Sequence, residues 1–265
     1  LTDVLRPSIF GQYIYSTGTE WAIGGDRVNI GEYAGALDQQ PDTIAIGYEA
    51  GMQSQQQSAI AIGMGAGKSN QQNGAVAIGT ACGQTGQGQY SVAIGSAAAR
   101  FNQQDFAISI GLLAGNDHQG SEAIAIGKDS GLHFQAANSI MIGSGSSTSS
   151  SSAVYSIAIG NSNTTNAYSV TLGNSNTTDD NSVAIGNSIN TSGQTGCIVL
   201  SSASSPVSCV ASNQFVLAGV NVNNPDVNGE IPSLQKLPFV GGTCTNIWLP
   251  IQIGSQVYSI PIFPH

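Results

Sequence analysis

Charge is what this chain of 265 residues has least of: charged residues make up 8 %, against an ordinary quarter or so. Only six are Lys or Arg, against 15 acids, and the formal net charge is −9. No basic stripe can therefore form to neutralise phosphates, which argues against nucleic-acid binding. An anionic lipid surface would repel the chain for the same reason. No run of about 18 apolar residues occurs, so no membrane-spanning helix and no membrane insertion are expected. The opening LTDVLRPSIF has neither an initiator Met nor a signal-peptide pattern and reads as a processed or trimmed N-terminus. Cysteine is sparse, with Cys82, Cys197, Cys209 and Cys244, and no CxxC gives them metal spacing. Aromatics are 6 %.

The motifs of common chemistry are missing too. GxSxG, HExxH and a P-loop are all absent from the sequence. Of the three His, His118 and His133 fall in outer loops of successive units and could approach one another. Solvated loop residues are the expectation there, rather than a metal site. Asp42, Glu49, Asp105, Asp117, Glu122, Asp129, Asp179 and Asp180 are scattered, and their expected role is to keep the molecule soluble. No catalytic site, metal or cofactor is expected, and the chain reads as non-enzymatic.

Gly is abundant, with 34 residues, and apolar residues reach 40 %, enough to build a core from small and β-branched side chains. The glycines are ordered. Ala-Ile-Ala-Ile-Gly at 59–63 returns as Ala-Val-Ala-Ile-Gly at 75–79, and the phrase's glycine recurs at Gly31, Gly47, Gly63, Gly79, Gly95, Gly111, Gly127 and Gly143, every sixteen residues. Gly160, Gly173 and Gly186 follow after steps of 17, 13 and 13, with echoes in CIVLS (197–201) and FVLAG (215–219). A fixed period of this size marks a solenoid of stacked units. Apolar and small residues alternate before each Gly, as in Ile44-Ala45-Ile46 and Val92-Ala93-Ile94, and period two means strand. Each unit is therefore one coil of two short strands and two turns, in an all-β parallel β-roll about 50–60 Å long at about 4.8 Å per coil. The Ile pair is expected to face the coil interior. The Ala would then form an outer ladder where another chain packs closely, so a homo-oligomer is expected.

SVAIGSAAA (91–99), AIAIGKDSG (123–131) and DNSVAIGNS (180–188) resemble the repeats of the YadA-like head of trimeric autotransporter adhesins. The resemblance covers about 28–190. It implies a left-handed parallel β-roll and a tight homotrimer around one axis. Departures from the family are a longer unit, Gln-rich outer loops, and the lack of a heptad stalk and membrane strands. TGCIVLSSASSPVSCVASNQFVLAGV and IWLPIQIGSQVYSIPIF are instead similar to segments of fibre and spike proteins of large DNA viruses and phages. The expected organisation is an N-terminal cap at 1–27, the roll at 28–190, degenerate coils at 191–229 and a C-terminal β-hairpin module at 230–265. The resemblance implies a virion-surface spike that engages a host-surface glycan or receptor, with other virion or capsid proteins as partners. A bacterial cell-surface adhesin head and an architectural capsid decoration are the alternatives.

Several side chains carry paired readings. Cys197 and Cys209 could close a short loop as a disulfide or remain buried thiols. Asn163, Asn176 and Asn190 each begin an N-x-[ST] sequon, a glycan site or a turn copied with the repeat. Gln53, Gln55–Gln57, Gln71, Gln72, Gln103 and Gln104 could bind sugars or satisfy one another across turns. SGSSTSSSS (144–152) falls where the period slips and reads as an outer loop. An ice-binding array would need more Thr rungs than Thr164/Thr165 and Thr177/Thr178 supply. A β-solenoid hydrolase would need convergent acids in a groove.

Overall fold

The computed structural model describes residues 13–16, 19–203, 205–218, 247–253 and 256–262. Strands, turns and bends make up its regular structure, and no helix occurs among the described residues. Thirteen strands stack in one parallel sheet, from Val28–Ile30 to Phe215–Ala218. They lie in strict register: Ile44 pairs with Ile60, Ile60 with Val76 and Val76 with Val92, each partner one period on. Twelve steps of about 4.8 Å give a stack about 58 Å long. The echoes at 197–201 and 215–219 are its last two strands, Ile198–Ser201 and Phe215–Ala218.

Each coil returns along a second side. Gln53–Gln55, Ser69–Gln71, Thr85–Gln87 and Phe101–Gln103 form a four-stranded parallel sheet there. Single bridges from Phe101 to Asp117 and from Asp117 to His133 carry the same side onward. The chain is thus a parallel β-solenoid with coils of about sixteen residues, compatible with a β-roll.

The repeat glycines are required by backbone geometry. From Gly31 to Gly186 all eleven have φ between 121° and 141°, which L side chains rarely adopt. A Cβ on Gly95 would also stand 2.5 Å from the carbonyl oxygen of Gly111 in the next coil. The repeat can tighten this turn only where no side chain exists.

The structure corrects the expected facing of the strands. Ala45, Ala61, Ala77, Ala93 and Ala125 are fully buried inside the coil, while the flanking Ile and Val point outward and are half-buried or exposed. The reason is width. The interior must also hold the Gln column of the opposite side: Gln55, Gln71, Gln87, Gln103, Gln119 and Gln135 are at most 1 % exposed. An Ile beside that column would overfill the coil, and overpacking a close-packed interior is destabilising.

The Gln column is fully bonded. From Gln55 to Gln119 each Nε2 donates to the Oε1 of the next coil's Gln, at 3.1 Å from Gln55 to Gln71 and from Gln71 to Gln87, and 3.2 Å from Gln87 to Gln103. The same amides donate to carbonyls across the coil: Gln71 to Ile60 at 2.7 Å and Gln87 to Val76 at 2.8 Å. Buried amides are tolerated here because their donors and acceptors are paired. Where the coils shorten to thirteen residues, Asn163 and Asn176 take over, each donating at 2.8 Å to a carbonyl of the next coil, Gly173 and Gly186.

The far end of the solenoid changes from polar to apolar filling. Ala184, Ile189, Cys197, Val199 and Cys209 form one buried cluster, and Cys197 and Cys209 are joined as a disulfide. At the other end Tyr13–Ser16 and Trp21–Gly24 form an antiparallel hairpin. The Tyr13 hydroxyl donates to the carbonyl of Arg27 and accepts the Asn29 N–H at 2.9 Å, tying the hairpin to the first long-sheet strand.

After Ala218 the chain forms a separate compact unit, Gly219–His265. Within it Ile247–Ile253 and Gln256–Ile262 pair antiparallel, as their alternation predicts, with Ile253 opposite Gln256. Their connection at 254–255, Cys244 and His265 lie outside the described residues.

Candidate functional site

The candidate residues named from the sequence fall at separate places along the solenoid. His118 and His133 do meet, around one carboxylate. The His118 Nδ1 lies 2.5 Å from Asp117 Oδ1 and the His133 Nδ1 lies 3.8 Å from Asp117 Oδ2. Asn102 Nδ2 is 3.2 Å from His118 Nε2, and the His118 ring stacks on Phe134 at 5.1 Å. These groups sit on the outer face of the second side, each His at least half exposed. No group of three or more His, Cys, Asp or Glu among the described residues could hold a metal ion.

The acids are dispersed along the solenoid, and several are tied into local structure. Glu49 pairs with Lys68 at 2.7 Å, and Asp105 Oδ1 accepts the Gln89 N–H at 2.9 Å. Asp179 accepts N–H bonds from Gly193 at 2.7 Å, Asp180 at 2.9 Å and Asn166 at 2.8 Å. Burial works against its charge, but those donors prevail and hold the carboxyl below its ordinary range. A cleft of about 680 Å³ lies at the N-terminal end, lined by Tyr13, Asp26, Arg27, Asn29 and Glu32 among others. It is the open mouth of the first coil beneath the hairpin.

The three sequons divide. Asn163 and Asn176 are fully buried, with their amide nitrogens committed to backbone carbonyls. A glycan on either nitrogen is incompatible with the folded coil. Asn190 is exposed, its Oδ1 accepting the Ser192 N–H at 2.8 Å. The Gln residues divide similarly. Gln55, Gln71 and Gln103 belong to the internal column, while Gln53, Gln57, Gln72 and Gln104 are exposed. The mutual satisfaction of amides is thus seen, but inside the coil rather than across outer turns.

Two outer surfaces stand out from the small polar background. The first is the outer face of the long sheet, an unbroken Ile, Val and Leu ladder: Ile78 and Ile110 are 36 % exposed, Ile185 40 % and Ile159 41 %. Single exposed apolar residues mean little, but a contiguous face of them marks an interaction surface.

The second is the corner leading into that sheet. It is occupied in successive coils by Asp42, Ser58, Gly74, Tyr90, Phe106, Glu122, Asn138, Tyr155, Tyr168 and Asn181, all with φ between 53° and 63°. Tyr90 stacks on Phe106 with ring centroids 5.8 Å apart, and Tyr155 on Tyr168 at 5.5 Å. All four rings are more than half exposed, between 53 % and 59 %. Sequence reading missed this corner because the aromatics lie 16, 49 and 13 residues apart among unlike neighbours. Only counting from the repeat glycine puts them in one column.

No protein-family model, no curated protein and no solved structure matches this chain.

Proposed function

We propose that the chain is a non-enzymatic structural protein, a homotrimeric spike or fibre head whose β-roll projects from a virion and attaches it to a host surface. The observation that carries this reading is the Ile, Val and Leu ladder on the outer face of the long sheet. Left in water it would be an extended apolar patch, whereas packing against the same face of other copies removes it from solvent. The interchain seam therefore falls on this face, not on the Ala ladder that the sequence reading assigned to it. The likeness of the repeats to YadA-like heads supports three copies, and the likeness of the C-terminal segments to viral fibres supports the virion. A regular solenoid with polar outer loops suits presentation of many weak contacts at once.

Light scattering on the native protein tests the seam. The expected molar mass is that of three chains of 26.9 kDa. A single-chain mass overturns the trimeric head, and with it the spike.

A further inference from the structure

The aromatic corner is hard to explain as architecture. Its backbone is left-handed in every coil, and other coils fill it with Asp42, Ser58, Gly74, Asn138 and Asn181, residue types that are common in turns or tolerate that conformation. Bulky aromatics do not favour it. Tyr90, Phe106, Tyr155 and Tyr168 nonetheless adopt φ of 53° to 60° there and keep more than half of their surface in water. The strain is not recovered as core burial. Tyr33 and Phe134 hold the same conformation, half exposed, at other corners, but among the described residues four aromatics share one column only here.

The seat of the first ring is also built. A Cβ on Gly74 would meet Tyr90 Cδ1 at 2.6 Å, so the absence of a side chain at Gly74 makes room for the Tyr90 ring. Phe106 stacks on Tyr90, the next two coils present Glu122 and Asn138, and Tyr155 and Tyr168 then form the second pair. From Tyr90 to Tyr168 is five coils, about 24 Å at about 4.8 Å each. The pattern is aromatic pair, carboxylate and amide, aromatic pair, along one edge of the stacked coils. Aromatic rings give apolar area for the C–H faces of a sugar, while Glu122 and Asn138 give acceptors and donors for its hydroxyls. Charge selects further. The chain carries −9 overall, and the corner offers Glu122, with Asp105 beside Phe106 and no Lys or Arg in the column. An anionic chain would be repelled.

We infer that the corner formed by Tyr90, Phe106, Glu122, Asn138, Tyr155 and Tyr168 binds an extended, uncharged polysaccharide lying along the solenoid axis. This deepens the attachment reading above by naming where a glycan sits and of what class. It uses one copy of the corner and stands or falls separately from the trimer.

The test is electrophoresis of the whole native protein through gels containing hydroxyethylcellulose, xylan, galactomannan or laminarin, with alginate and heparin as anionic probes. The wild-type protein is expected to be retarded by at least one neutral polysaccharide and by neither anion. The variants are Tyr90→Asn with Phe106→Asn, and Tyr155→Asn with Tyr168→Asn. Asn already occupies this corner in other coils, so folding is preserved. Each double variant is expected to weaken retardation about tenfold or more, with melting temperature unchanged or raised and molar mass unchanged. Undiminished retardation of the variants overturns the inference, as does retardation by the anions alone. A fall in molar mass also overturns it, because the rings would then belong to the interchain seam. A three-chain wild-type protein retarded by no polysaccharide overturns this site and leaves the spike reading standing.

Discussion

Gln87 shows what a single residue does in this fold. Its amide donates to Val76 and Gln103 and accepts from Gln71, and the side chain is fully buried. Gln87→Leu would orphan the buried Oε1 acceptor of Gln103, while the Gln71 amide keeps the carbonyls of Ile60 and Ala75 as acceptors. The expected loss is about 1–3 kcal/mol, from one buried acceptor left unsatisfied, read from denaturant unfolding. Exposed Gln72→Leu serves as the control and should change stability by less than about 0.5 kcal/mol. Cys82, one position in a column otherwise held by Ala and Ser, makes a second case. Burial pushes its thiol up from 9.0 to about 12, so it stays protonated at neutral pH and is a poor nucleophile. Iodoacetamide should label it only after unfolding, as mass spectrometry of native and denatured samples will show. Its folded pKa lies above its unfolded one. Its contribution to stability is therefore complete below pH 9 and declines as pH rises toward 12.

At the scale of the element, one coil cannot stand alone. Its strands are three residues long over most of the stack, and each rests on those above and below. The end coils are where this support runs out, and there the molecule changes its materials. The last two coils exchange the amide column for an apolar cluster closed by Cys197–Cys209. The disulfide closes a loop of twelve residues' separation, a constraint worth about 3 kcal/mol. Reduction, or Cys197→Ser with Cys209→Ser, should raise amide hydrogen exchange in Ile198–Ser201 and Phe215–Ala218 at least tenfold. Strands such as Val92–Ile94 should keep their protection, because solenoid stability is nearest-neighbour. Equal loss of protection along the whole stack would show that the coils unfold as one unit instead.

For the whole molecule the decisive surface is the Ile, Val and Leu face. If copies pack there, a charge in its middle must separate them, since an unpaired buried carboxylate is strongly disfavoured. Ile110→Asp, at a position already 36 % exposed in one chain, should reduce the molar mass to a single chain while leaving the β-rich circular dichroism spectrum intact. Asp in place of Leu112, on the adjacent turn and 46 % exposed, tests how far the seam extends. An unchanged mass for Ile110→Asp would move the seam elsewhere.

The sequence by itself determined the period, the parallel stacking, the strand positions and the register. These depend on chain distance alone: a glycine with φ near 121–141° every sixteen residues can only recur at one point of a coil. It also carried the two echoes past 190, the hairpin of Ile247–Ile253 with Gln256–Ile262, and the pairing of Cys197 with Cys209 as one of two open readings. Only the tertiary structure decided which face of each strand is inside. Alternation of Ile and Ala fixes that there are two faces, and hydrophobicity alone would bury the larger side chain. The coil's width overrules it, because Ala and a Gln amide together fill a space that Ile cannot enter. The same packing buried Asn163 and Asn176 and left Asn190 outside. It also gathered four aromatics, spread over 79 residues of chain, onto one edge. Residues distant along the chain become neighbours only when coils stack, and that proximity is a property of the folded molecule.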